Sequence, residues 1–416
     1  MRGTDLTAEF ARELSGLWGL GAPAGEPGAL HLGIGDHRDA ALLAELCREG
    51  SLAGAVVLVG SVSAGARIVS GTAQFDPGTR VDGEFTILDG DPVVSSNLGT
   101  HAVREGNVLT VGYDPEAGLG RADSFWVFEA IRDFATEMGL ILRVLPPVGC
   151  MRLDDTPGTA QHQLEGRAKS DRRQARRLAG LARTLDASGS VLNLAVAAEA
   201  FDDGVRVPLE RVWPRAIAEI RKGVEAGVFE PVCHGVLHLD TDRLGGDEIE
   251  FREFQSLEPA AAGERLDQAI AWQRGVLGDP RSFVAPAWAY GPAGDSEAAR
   301  RGLYRWHRPR VGPVFESDRL HETLYGDIPG LHGVDYSPLV RLAKAGVPPT
   351  VTTHGMLHDG RVPRQLAREN PLLMARLSLR RDLDRIAAVD GITWVGAGEF
   401  CDLLAGHTMD EASVQT

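Results

Sequence analysis

Residues 151–158 read MRLDDTPG, and the reading of this stretch decides the fold. It follows an apolar run, 140–150, that has strand character, and it places two adjacent carboxylates, Asp154 and Asp155, where that strand ends. A turn rich in Thr, Pro and Gly follows, so the pair sits on a strand-to-loop junction rather than inside an element. Two further fragments share this placement. The run 228–235, VFEPVCHG, is a strand ending at a histidine, with a second imidazole four residues on (His234, His238). The β-branched run 350–353, TVTT, ends at His354, with His358 in the loop beyond. One carboxylate and two imidazoles can hold a divalent cation with positions open for water. A second carboxylate and a further imidazole are the acid–base pair that hydrolysis needs.

Outward from these fragments, strand and helix patterns alternate. The run 190–198 is a strand, about 160–187 and 209–226 are helical, and 281–288, 350–355 and 392–398 are later strands. Chemistry repeated at strand C-terminal ends is how a β/α barrel builds its site. The first third is also α/β in pattern. Strand-like runs stand at 29–35, 55–61 and 107–114, a helix at 40–50, two short strands in between, and an amphipathic helix at 122–139. With 416 residues, two domains are expected: 1–140, a smaller layered α/β unit, and 141–407, a distorted (β/α) barrel, followed by a polar tail, 408–416.

Composition narrows the function. Acidic residues outnumber basic ones, 58 to 43, and the net charge of −15 argues against nucleic acid and anionic membrane as partners. No apolar run approaches spanning length. The N-terminus lacks a basic segment followed by an apolar core, so a cytoplasmic enzyme is expected. The cysteines (47, 150, 233, 401) form no CxxC and read as reduced thiols, Cys233 as a buried strand residue.

A rival aspartate pair, Asp202-Asp203 in AFDDG, lies only about 30 residues before His234, against about 80 for Asp154. Only the longer interval holds a helix, a strand and a second helix (about 160–187, 190–198 and 209–226), and FDDG reads as the turn after the second strand.

Taken in order, these motifs resemble the polysaccharide deacetylase family (NodB homology, carbohydrate esterase family 4) over about residues 141–405. The carriers are the pair in RLDDTPG, the HxxxH, the segment FVAPAWAYG (283–291) and the strand-ending His354. The resemblance implies a metal-dependent deacetylase. Asp155, His234 and His238 would hold the ion: zinc first, with cobalt, nickel, iron or manganese as alternatives. Asp154 would be the general base and His354 the general acid, and Pro286, Trp288 and Tyr290 would line the substrate site. The family's arginine that orients the base is missing from its usual place, since Val284-Ala285 precede Pro286; Arg281 or Arg310 are the substitutes considered. The first 140 residues resemble, weakly, the class I glutamine-amidotransferase-like fold. They carry Ser61 and Ser63 where that fold has a nucleophilic cysteine, so a non-catalytic role is expected, including the packing of a homo-oligomer.

The resulting expectation is an N-deacetylase for a small N-acetylated amino sugar, glycoside or nucleotide-linked sugar. Deformylation or hydrolysis of another small amide on the same fold, and glycan binding without turnover, are the alternatives. A basic run after Asp155 (Arg167, Lys169, Arg172, Arg173, Arg176, Arg177) is either a solvated helix face or a contact for substrate phosphate. His162 is a polar helix residue or a substrate contact.

Overall fold

The computed structural model describes residues 30–34, 55–59, 66–76, 79–113, 124–138, 145–160, 163, 170–239, 252–307, 319–321, 324–325, 337–354 and 391–403. The helix expected at 40–50, together with Ser61, Ser63, His162, Arg167, Lys169, Arg310, His358 and the tail, lies outside these residues.

The described residues build two large sheets and a separate two-stranded one. The first contains β1 (Leu30–Ile34), β2 (Ala55–Val59), β3 (Arg67–Phe75), β4 (Thr79–Ile87), β5 (Pro92–Ser96), β6 (Gly99–Glu105) and β7 (Val108–Val111), in the order β1-β2-β7-β6-β5-β3-β4. Only β1, β2 and β7 pair in parallel; from β7 onward each pairing is antiparallel. Between residues 67 and 111, where two short strands and the start of a third were expected, the structure has five strands in an antiparallel run. These strands alternate apolar and polar residues, so one face (Ala73, Phe75, Val81, Phe85) is buried and no helix is needed to cover the other.

Helix α1 (Phe125–Glu137) is buried over most of its circumference: Phe125, Trp126, Val127, Phe128, Ile131 and Phe134 are all inaccessible. An all-round apolar helix must be covered on two sides. The first sheet covers one. On the other side lies α7 (Ser337–Lys344) of the second unit, where Arg341 clamps Glu129 at 2.8 and 2.5 Å and Arg132 donates to the Lys344 carbonyl.

Buried in the first sheet is His101, ringed by Phe75, Phe85 and Trp126 at centroid distances of 5.1, 5.2 and 5.4 Å. Burial pulls its pKa down to about 4. A group whose folded pKa lies below its unfolded value binds fewer protons when folded. Stability should therefore fall as pH drops below about 6.5 and level off below about 4, by on the order of 2 kcal/mol. His101→Phe should flatten that limb of the melting-temperature profile; an unchanged limb would rule His101 out as its source.

The second sheet begins with β8 (Val148–Asp154) and continues through α2 (Asp171–Ser188), β9 (Leu192–Val196) and a hairpin of β10 (Glu199–Asp202) and β11 (Val205–Pro208). Next come α3 (Leu209–Val212), α4 (Pro214–Glu225), β12 (Phe229–Cys233), α5 (Pro259–Val276), β13 (Ser282–Phe283), α6 (Gly291–Arg300) and β14 (Tyr304–His307). The last strands are β15 (Arg319–His321), β16 (Leu324–Tyr325), β17 (Thr350–His354) and β18 (Thr393–Val395). The path runs β15-β14-β13-β12-β9-β8-β17-β16, with β18 also on β8, and every pairing in it is parallel.

Two observations show that this sheet curls round on itself. Its end strands, β15 and β16, are joined through only two residues, so His321 and Leu324 lie within about 11 Å. And the Arg152 guanidinium of β8 sits 4.5 Å from the Trp306 ring of β14, four strands along a path that would span about 19 Å if flat. Along β8 the side chains alternate. Met151 and Leu153 pack outward against α2 and α4, while Cys150 belongs to the inner cluster with Trp306. Arg152 and Asp154 share the parity of Cys150 and point inward.

Candidate metal centre

The C-terminal ends of β8, β12 and β17 meet at one end of the curled sheet. Asp155 is the first residue past β8 and stands in the left-handed region (φ 59°), a conformation an aspartate tolerates better than most residues. His234 is the first residue past β12. The segment from His234 to His238 is not helical: it is a tight loop with positive φ at Gly235 (74°) and His238 (61°). The four-residue spacing brings the imidazoles together because the loop doubles back, not because a helix turns.

The resulting geometry is compact. Asp155 Oδ1 lies 3.3 Å from His234 Nε2 and 3.3 Å from His238 Nε2. The imidazoles stand edge to face, 4.9 Å apart. Donors around a tetrahedral ion with bonds of about 2.1 Å are separated by about 3.4 Å, so the spacing fits a small divalent cation. The His234 Nδ1–H donates to the Val284 carbonyl at 2.9 Å, which leaves Nε2 with its lone pair directed at the cluster. His238 Nδ1 is buried without a hydrogen-bond partner. This is the one cluster of three such donors among the described residues.

Asp154 is 2% exposed, and its carboxylate is gripped by Arg152, Nε to Oδ1 at 2.6 Å and Nη2 to Oδ2 at 2.9 Å. Arg152 is itself fully buried and stacks on Trp306. Burying two charges is costly; the bidentate geometry and the aromatic face offset that cost. This arginine was not among the residues singled out from sequence. It supplies to Asp154 what Arg281, paired with Asp402, does not.

Arg281 precedes β13 and thus stands at the opposite end of the sheet. It is half-exposed, ion-paired to Asp402 at 2.8 Å and set over the Tyr304 ring. The expectation that it reaches the site is therefore corrected. So is the aromatic wall in part. Tyr290 is buried, with its hydroxyl within hydrogen-bonding distance of the Phe283 and Trp306 carbonyls and its ring stacked on His307 at 4.5 Å. A side chain so occupied is core. Pro286 is buried as well, and Trp288, half-buried with φ 55°, is the candidate left on the rim beyond β13. His354 ends β17 in register with Asp154. Asp202 and Asp203 occupy the tip of the β10–β11 hairpin, Asp203 and Gly204 both with positive φ, away from the cluster. On α2, Arg172, Arg173 and Arg176 are exposed, while burial and Arg173 pull the Arg177 pKa down to about 9. Cys233 packs in the apolar cluster of Phe254 and Phe283, where burial pushes its thiol up to about 12.

A second residue not foreseen is Glu253. Its buried carboxylate accepts the backbone N–H groups of Val236 (3.1 Å), Leu237 (3.2 Å) and His238 (3.0 Å), with Arg265 of α5 at 3.3 Å. Burial raises its pKa, against which Arg265 and the three amides pull downward.

No protein-family profile matches the sequence, and no curated protein matches it. Solved structures do match. A Mycobacterium smegmatis protein assigned as a polysaccharide deacetylase is 15% identical, with a TM-score of 0.39, over 62% of this chain and 90% of that one. The resemblance is to polysaccharide deacetylases. A family 4 carbohydrate esterase from Streptomyces lividans, solved with acetate, is 13% identical (TM-score 0.32; 59% of this chain, 91% of that one). A peptidoglycan deacetylase from Bacillus subtilis is 11% identical (TM-score 0.37; 66% and 98%). These likenesses are distant, and what the site of this chain can do is carried by its own side chains. Among the described residues no helix is long and apolar enough to cross a membrane.

Proposed function

We propose that this chain is a metal-dependent N-deacetylase. The observation that carries the reading is Asp155 Oδ1 at 3.3 Å from two imidazole Nε2 atoms, beside a buried carboxylate held by an arginine. Asp155, His234 and His238 would hold the ion, with zinc suiting two nitrogens and one oxygen. When bound, a divalent ion supplies Lewis acidity toward the amide carbonyl and the attacking water. Asp154, fixed by Arg152, takes the proton of that water. His354, in register with Asp154 on the neighbouring strand, delivers a proton to the leaving nitrogen. The C–N bond breaks to give a carboxylate and a free amine.

For the substrate we propose an N-acetylated amino sugar that is small: a free sugar, a glycoside or a nucleotide-linked sugar. Support comes from the exposed arginines of α2 in a chain of net charge −15, which suit a phosphate, and from the segment 284–286, which departs from the polymer-active pattern. The half-buried Trp288 offers one apolar face to a sugar ring.

The test is metal content by elemental analysis, with acetate and formate release measured from a panel of N-acyl sugars, nucleotide sugars and chito-oligosaccharides. About one ion per chain, with acetate released from the small substrates and lost on chelation, is the expected result. Formate release alone would move the bond from acetamide to formamide. Metal bound without turnover of any amide would favour a binding protein.

A further inference from the structure

The two histidines of the centre lie on a loop outside helix and strand; its His234 N–H donates to the Val196 carbonyl of β9, and its Gly235 and Val236 carbonyls accept from Ala198 and Glu199, which leaves the amides of Val236, Leu237 and His238 to be satisfied. Three of its consecutive amides, Val236, Leu237 and His238, are buried, and a buried N–H without an acceptor is destabilising. All three are satisfied by one group, the Glu253 carboxylate, which comes from a segment 15 residues downstream of His238. The fit is tight. A Cβ at Gly235, already at φ 74°, would stand 2.4 Å from Glu253 Oε2. His238 itself is in the left-handed region (φ 61°), which is uncommon for any residue that carries a Cβ. Arg265 closes the carboxylate from the far side at 3.3 Å.

We propose that Glu253 is the positioning residue of the metal centre: it holds the 235–238 loop in shape before any ion arrives and so presets the distance of His238 from Asp155. The inference rests on the metal-centre reading above. It assigns Glu253 no contact with the ion and no part in proton transfer. Groups that orient metal ligands in this way usually change affinity by about 10- to 100-fold when removed.

The experiment is a chelator-competition titration with zinc, and with cobalt(II) followed by its visible absorption, on wild type, Glu253→Gln, Gly235→Ala and Arg265→Gln. Glu253→Gln keeps the volume but turns an NH2 toward amides that need an acceptor. Gly235→Ala leaves Glu253 intact but pushes it off the loop. Both should weaken zinc at least tenfold and alter the cobalt band shape, with the far-ultraviolet circular dichroism unchanged. Affinities within twofold of wild type and an unaltered cobalt band would overturn the proposal, even if the melting temperature fell. If both variants fail to fold, Arg265→Gln decides: a severalfold weakening supports the proposal and none overturns it. A wild type that binds neither zinc nor cobalt sinks the metal centre itself, which is a separate failure from a Glu253 variant that binds normally.

Discussion

Asp155→Asn should strip the protein of its metal, with retained zinc falling from about one ion per chain to under a tenth after dialysis, and affinity falling by about 10³-fold. The substitution isolates charge. Asparagine occupies the left-handed region about as readily as aspartate, so the φ of 59° at this position is no obstacle. It also keeps the volume of the side chain. What it removes is the one anion among three donors, the oxygen that stands 3.3 Å from both imidazoles. Two neutral imidazoles with an amide oxygen make a much weaker site for a divalent cation, and a 10³-fold loss corresponds to about 4 kcal/mol. Any hydrolysis should fall with occupancy and return in part at high added metal. Elemental analysis of the dialysed variant is the direct check; wild-type stoichiometry in Asp155→Asn would remove Asp155 from the site.

Arg152→Met should destabilise the fold by about 3–5 kcal/mol, the usual consequence of taking one partner from a buried ion pair. The Asp154 carboxylate, 2% exposed, would lose both guanidinium bonds, and Trp306 would lose the cation over its face. The double variant Arg152→Met/Asp154→Leu should regain most of that loss, because no charge is then left in the interior. Neither variant should hydrolyse an acetamide, since both lack an oriented base. Urea unfolding of the two variants and the wild type measures the difference. A single variant within about 1 kcal/mol of wild type would mean that the pair contributes little to the packing of the barrel interior.

Much of the site was legible because its residues announce themselves at strand ends. Asp154-Asp155, His234 and His354 each close a run whose β-branched or apolar character marks a strand, and those runs are β8, β12 and β17. Arg152 was legible too, had period two been applied within the strand. It stands two residues before Asp154, so both side chains leave β8 on one face, and a charge in the middle of an otherwise buried strand needs a partner. Glu253 was not legible. It lies in an acidic stretch, EIEFREF, and nothing local distinguishes a carboxylate that caps a remote loop from one in solvent. Arg281 and Tyr290 misled for a related reason. Nearness in sequence to Pro286 says little about which end of a strand, or which side of a sheet, a long side chain occupies.

By itself the sequence determined the alternation of strands and helices after residue 145, the placement of the acidic pair and the histidines at strand ends, and an acidic surface unsuited to polyanions. Hydrophobic periodicity and turn residues act over a few positions, and that range suffices for these features. Only the tertiary structure decided what those residues do to one another. Curling of the parallel sheet brought β8 against β14 and gave Arg152 its aromatic partner. The doubling back of the 234–238 loop, rather than a helical turn, set both imidazoles on one oxygen. The antiparallel run from β3 to β7 stands where two short strands and the strand 107–114 were expected. The curl depends on contacts between segments distant in the chain and the loop on the remote Glu253 carboxylate; these energies are set by packing and burial that no local pattern carries.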